Sequence, residues 1–430
     1  MMVGHFIRSE RLKKNMKQSY LAKGICSPSY LSKIENNSTE PSEEVLYLIS
    51  KKLGIELNFK GKNHGNLEYE KDNRQYLNEI YKEISIKRSE KYAKQVYKEL
   101  SELRFSFNGN DFYLYCLVNI RILVILKDNK SILVLLEPLM RDKEKLNDYE
   151  KYLLAKTLGI FHFVNDNIKD SIENFEEALN LSKQINLKSW DQADLYYMYS
   201  LASLSNQQNI KAIEYSEMSL KYFNDNFLFE RSIESLIVQG IAYKNSFDFR
   251  ASLRNYKKAI EITEKFDVVK FKSIIFQNLG SLYTKLNDYN LALEYYLKSL
   301  NLKNSLDKKL ITIFSIIQIY SRLQEYENVT NWVKKGFDEI GKSKEYEQYI
   351  IHFNVYKLMG EGDSEKIELY LPKAIQYFEK INDYRHTYKY CIKMALILKN
   401  KKKYKMATTY FEKAFNYQNT IQEIRNWEDI

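Results

Sequence analysis

The 430-residue sequence contains only four prolines and thirteen glycines. Both residues interrupt helices, so their scarcity excludes collagen-like and turn-rich architectures. With abundant Lys, Glu, Leu, Ile, Asn and Tyr, the expected fold class is all-α. Cysteine is equally sparse. Cys26, Cys116 and Cys391 are odd in number and far apart, which does not fit a disulfide framework and reads as reduced, buried thiols of a cytoplasmic protein. The longest apolar runs, Ile122–Leu126 and Ile132–Leu136, are far too short to span a bilayer, so no membrane partner is expected. No basic start followed by an apolar stretch and a small-residue cleavage site marks a secretory signal. The five histidines (His5, His64, His162, His352, His386) are scattered. There is no P-loop, no His/Cys metal cluster and no nucleophile elbow. The chain is therefore expected to be no enzyme, with no catalytic residue, no metal ligand and no cofactor.

What is present is unevenly placed. Residues 1–62 carry eleven basic and six acidic side chains, half of the net charge of +10. A phosphate-facing module is expected to concentrate charge in this way. Within it, Ser27–Asn36 reads as a helix. Ser27 can cap it and Pro28 suits the first helical position. Leu31 and Ile34 share one face. Ser29, Tyr30, Ser32 and Lys33 project from the other, a small, polar, singly basic front that suits the major groove of DNA. Around it the spacing predicts a first helix over about 3–14 and a short second one beginning at Gln18. A turn follows at Gly24–Cys26. A fourth helix is capped by Ser42, has core residues Val45, Leu48, Ile49 and Leu53, and ends at Gly54. Ile55, Leu57 and Phe59 close the bundle.

Gln18-x-x-Leu21-Ala22, Tyr30-Leu31-Ser32-Lys33-Ile34-Glu35-Asn36, Pro41-Ser42 and Leu53-Gly54-Ile55 resemble the Cro/C1-type (XRE) helix-turn-helix family. The resemblance implies that Gln18 contacts a phosphate. It also implies that Ser29, Tyr30, Ser32 and Lys33 read bases, and that Glu35 pairs with Arg11 as a structural brace. With Ser27 and Asn36 at the ends of the helix, these form the expected DNA-binding set. The position after Asn36, usually Gly in the family, is Asn37, which also tolerates a left-handed backbone.

Residues 61–68 are the expected linker between a DNA-binding domain at 1–60 and a second domain at 69–430. Tyr69–Leu103 reads as one long helix or a pair. Beyond it the chain repeats. Gly159, His162, Ser171, Phe175 and Ala178 form one unit. Gly240, Tyr243, Ser252, Tyr256 and Ala259 form another. Gly280, Tyr283, Ala292, Tyr296 and Ser299 form a third, and Ala395, Leu398, Ala407, Phe411 and Ala414 a fourth. A weaker copy starts at Ser200. This is the small-x-x-large, then Ala…Phe…Ala pattern of tetratricopeptide repeats. Seven or eight helix pairs in a right-handed solenoid are expected. First helices would line a groove, with Gln277, Asn278, Ser281 and Lys285 facing a peptide backbone and Tyr197 and Ile241 among the pocket residues.

The whole chain resembles the RRNPP regulators (the Rgg, Rap, NprR, PlcR and PrgX group), and is most PlcR- and NprR-like. The resemblance implies a cytoplasmic quorum-sensing transcription regulator. Its partners would be double-stranded DNA, a palindromic operator; a short signalling oligopeptide; and a second copy, as homodimer or tetramer. The peptide changes oligomer geometry and thereby DNA binding. In this family an Asn two residues before the small position commonly grips the peptide, and Asn278 stands there before Gly280. A second reading, also implied by the family, is a Rap- or NprR-like protein that acts by binding a partner such as a response regulator.

Overall fold

Capping residues set where the first helices begin and end. Ser27 Oγ accepts from the Tyr30 amide at 3.1 Å and Pro28 follows, so α3 spans Pro28–Glu35. Ser42 Oγ accepts from the Val45 amide, and Gly54 closes the helix at φ +61°, so α4 spans Glu43–Leu53. With α1 (Val3–Lys13) and α2 (Gln18–Ala22) they bury Ile7, Leu21, Ala22, Leu31, Ile34, Leu46, Ile49 and Leu53. The inward row of α4 is Leu46, Ile49, Ser50 and Leu53 rather than one starting at Val45. Val45 and Leu48 flank it, half-buried.

The structure is a computed structural model that describes residues 3–36, 38–55, 67–103, 111–343 and 345–422. Asn37, Leu57, Phe59 and residues 61–66 of the expected linker lie outside that set. Among the described residues there are twenty-two α-helices and no strand. No helix among them is long and apolar enough to cross a membrane. The fold is all-α, a helix-turn-helix bundle followed by tetratricopeptide-type helix pairs, and contacts divide the chain into two compact units at Phe247.

The first unit continues from the bundle with α5 (Leu67–Lys87) and α6 (Glu90–Leu103), a helix pair turned at Arg88, whose φ is +47°. Then come α7 (Asp111–Leu126), α8 (Asn129–Arg141), α9 (Asp148–Val164), α10 (Ile168–Ser182), α11 (Ser189–Ser205), α12 (Asn209–Asp225) and α13 (Phe229–Asn245). Residues 111–123 of α7 are buried on every side, as expected of a helix that is apolar all round.

The second unit holds α14 (Phe249–Lys265), α15 (Lys272–Lys285), α16 (Tyr289–Asn301), α17 (Leu306–Arg322) and α18 (Tyr326–Ile340). It continues with α19 (Glu347–Gly360), α20 (Ser364–Lys380), α21 (Tyr384–Asn400) and α22 (Tyr404–Gln422). Gly159 and Gly280 each let an aromatic ring press against their helix. A Cβ on Gly159 would stand 2.7 Å from the Phe175 ring, and one on Gly280 2.6 Å from the Tyr296 ring. Several turns between successive helices share a device that sequence reading missed. Asp166, Gln207, Phe247 and Asn287 all take φ between +58° and +63°, and Asn167, Asp248 and Asp288 then cap the following helix.

Candidate DNA-reading surface and ligand face

The helix α3 is held by a buried ion pair. The Arg11 guanidinium grips the Glu35 carboxylate through two bonds, Nε to Oε1 at 2.6 Å and Nη2 to Oε2 at 2.7 Å. Glu35 has no exposed surface. Arg11 also donates to the Met16 carbonyl, tying the turn before α2 to the same brace. The Gln18 amide donates to Glu35 Oε2 at 2.9 Å, so its side chain reaches inward to the brace. Ser27 is engaged as the cap. Ser29 and Lys33 are exposed, and Tyr30 and Ser32 half-exposed, on the side of α3 away from Leu31 and Ile34. Asn36 Oδ1 accepts from Arg8 at 3.1 Å and lies 3.5 Å from Arg141 of α8. Arg8 in turn pairs with Glu137 of α8 at 2.8 Å. The helix α3 therefore stands on a bundle that is tied to α8 of the same unit.

The residues expected to face a peptide fall in two places. In the first unit Tyr197 is buried under two guanidiniums, Arg231 at 4.2 Å and Arg88 at 4.6 Å from its ring centre, while Ile241 is half-buried. The cations belong to a network that sequence reading missed. Asp194 of α11 meets Lys156 at 2.8 Å, Arg88 and Arg231 at 3.0 Å each, and Arg121 at 3.3 Å. Burial opposes its ionisation, but those four cations outweigh it and hold its carboxyl far below the usual carboxylate range. Asp191, one turn earlier, takes Lys156 at 2.6 Å and the hydroxyls of Tyr149 and Tyr152. The spacing Asp191-x-x-Asp194 on an otherwise apolar helix was the available signal.

In the second unit Gln277 is fully used. It donates to Ser315 at 3.2 Å and accepts from Thr312 and Lys303, so it fastens α15 to α17. Among the described residues Asn278 bonds the Ile274 carbonyl of its own helix. Ser281 is half-buried and Lys285 is exposed, on the turns that follow. Two of the scattered histidines meet here. The His352 and His386 rings are 4.5 Å apart, and His352 lies 4.2 Å from Phe314 and 4.7 Å from Phe378. Burial and His386 push His352 down to about 2, so it is neutral. Among the described residues no group of His, Cys, Asp and Glu could hold a metal ion.

The braced α3 and the stacked pairs define a helix-turn-helix protein carrying tetratricopeptide repeats. The helix-turn-helix family pattern matches residues 7–60, and the tetratricopeptide-repeat pattern matches 275–306 and 388–420. A transcriptional activator, NprA of Geobacillus stearothermophilus, is 28% identical over 92% of this chain and 98% of its own length. Response regulator aspartate phosphatase H of Bacillus subtilis is 20% identical over 67% of this chain and 76% of its own. The apo form of the quorum sensor NprR from B. thuringiensis superposes with a TM-score of 0.72 at 19% identity, over 81% of this chain and 99% of that one. NprR with its cognate peptide NprX superposes at 0.60 and 20% identity, over 81% and 99%. These similarities support the resemblance to the RRNPP regulators drawn from the sequence.

Proposed function

We propose that this protein is a transcription regulator that reads a palindromic operator with α3 of two copies and takes a short signalling peptide on the first helices of its repeats. The observation that carries the reading is the braced, polar-fronted α3 at the head of a chain similar, almost end to end, to a transcriptional activator. The DNA-facing residues in this reading are Ser29, Tyr30, Ser32 and Lys33, with Ser27, Asn36 and Gln18 setting the ends and footing of the helix. The domain division follows: 1–60 reads DNA, 61–68 links, and 69–430 senses and assembles. One such helix covers a half-site, so two must stand about one helical turn apart. A peptide that binds one arrangement of the oligomer more tightly shifts the population toward it.

Selection of binding sites from random duplexes by the full chain tests the DNA part. The expected result is a two-fold symmetric site whose base preference weakens in Lys33→Ala. Recovery of no preferred sequence contradicts it. A second reading, binding of a response regulator, is favoured by the similarity to aspartate phosphatase H. Retention of a phosphorylated response-regulator receiver domain on the immobilised chain tests that one.

A further inference from the structure

In the second unit four first helices lie side by side. Gln277 bonds Ser315 between α15 and α17. Phe314 stacks on His352 between α17 and α19, and His352 meets His386 between α19 and α21. Residues seven apart on a helix share a face, as do residues three and four apart. By that rule Asn278 shares its stripe with Lys285, Ser315 with Arg322, and His386 with Lys389 and Lys393. Lys285, Arg322 and Arg385 all lie close enough to Lys389 to repel it. Asp383 offsets them at Lys389, and His386 already engages that carboxylate at 2.6 Å.

Several lysines elsewhere in this unit are paired with acids. Lys298 pairs with Glu294, Lys309 with Glu339, Lys401 and Lys403 with Glu368, and Lys413 with Glu379. Among the described residues no acid pairs with Lys285, Arg322, Arg385, Lys389 or Lys393. The Lys389 ammonium is held below its ordinary value, first by desolvation and then by its cationic neighbours. A concentration of unpaired cations on one face is electrostatically costly until an anion arrives, and guanidiniums match carboxylates in particular.

We propose that this first-helix face is a receptor for an acidic peptide, whose carboxylates are held by Lys285, Arg322, Arg385 and Lys389. The inference rests on the peptide-binding reading above and adds the charge of the ligand. Neutral groups on the same stripes favour a peptide over a duplex. The Asn278 amide and the Gln318 amide, which lies between Ser315 and Arg322, can donate to and accept from a peptide backbone.

The test is affinity selection of a random heptapeptide library on the full chain, followed by fluorescence anisotropy of the recovered peptides labelled with fluorescein. Recovered peptides are expected to carry more Asp and Glu than Lys and Arg. Their affinity is expected to fall at least tenfold in Arg322→Gln/Lys389→Gln and to weaken with added salt. Both residues are exposed, so the variant should keep the wild-type circular dichroism spectrum; Lys285→Gln provides an independent, smaller loss. Neutral or basic binders, or acidic binders indifferent to these substitutions, overturn the inference and leave the peptide reading standing. A random 20-base-pair duplex that wild type retains and the variant releases, without any acidic peptide recovered, overturns it in favour of a nucleic-acid face. Recovery of no heptapeptide of any charge overturns the peptide reading itself.

Discussion

Single buried charges decide much of the behaviour of this chain. Glu35 is fully buried and its charge is met by Arg11 and Gln18. Removing one partner of such a pair costs about 3–5 kcal/mol. Glu35→Ala should therefore speed hydrogen exchange of the α1 and α3 amides by about a hundredfold or more, measured by mass spectrometry, with exchange in α15–α22 unchanged. Lys303 is the opposite case. It is buried against Gln277 and Thr312 with no acid beside it, and desolvation and Lys308 push it down to about 8. An unfolded lysine titrates near 10.4, so between about pH 8 and 10 the unfolded chain holds a proton the folded one has released. Stability then rises with pH across that window. The urea midpoint of wild type relative to Lys303→Met should climb from pH 8 to 10; a constant difference would show that Lys303 does not titrate there. The Arg11–Glu35 pair was legible because both residues sit at family positions close in sequence. Asp191-x-x-Asp194 hints at a buried acidic pair, but the cations that meet Asp194 come from helices tens of residues away, and nothing local marks Lys303 as lacking an acid.

At the scale of elements, the repeat is a contact between a missing side chain and a ring. Gly280 sits in mid-helix, where alanine is normally favoured by up to about 1 kcal/mol. Here a Cβ meets the buried Tyr296 ring at 2.6 Å, and overpacking costs about 1–3 kcal/mol. Gly280→Ala should therefore lower the melting temperature, and Gly280→Ala/Tyr296→Leu should recover part of the loss. A higher melting temperature in the single variant would mean that the ring yields freely. Helix existence was readable from the 40-residue echo of small and aromatic residues and from the scarcity of breakers. The expected seven or eight pairs compare with α7/α8, α9/α10 and α11/α12 in the first unit and α15/α16 through α21/α22 in the second, with α5/α6 as an additional pair. Of the expected α4 row, Ile49 and Leu53 face inward, but Leu46 and Ser50 stand there in place of Val45 and Leu48. Val45, Leu46, Leu48 and Ile49 are all apolar, and only packing against α1 and α2 selects the row starting at Leu46. The left-handed turn residues were missed because Asp166, Gln207, Phe247 and Asn287 share a backbone angle and no side-chain chemistry.

At the scale of the whole molecule, the proposed reading helix, α3, has eight residues in a chain of 430. That proportion makes sense if the repeats decide where two copies of α3 stand. Linkage then requires reciprocity: a peptide that changes DNA affinity by some factor must have its own affinity changed by the same factor when DNA is bound. For the proposed peptide face and operator, the sequence speaks only to one side of each contact. Which residues project from a helix follows from its period, whereas what they meet depends on a ligand encoded elsewhere and on how two copies pair. The most direct measurement is a titration of the full chain onto the duplex recovered by site selection, followed by fluorescence anisotropy, with and without a saturating selected heptapeptide. The peptide is expected to shift the DNA dissociation constant by about fivefold or more, the usual lower end of allosteric coupling, in either direction. Identical DNA-binding curves with peptide demonstrably bound would contradict it.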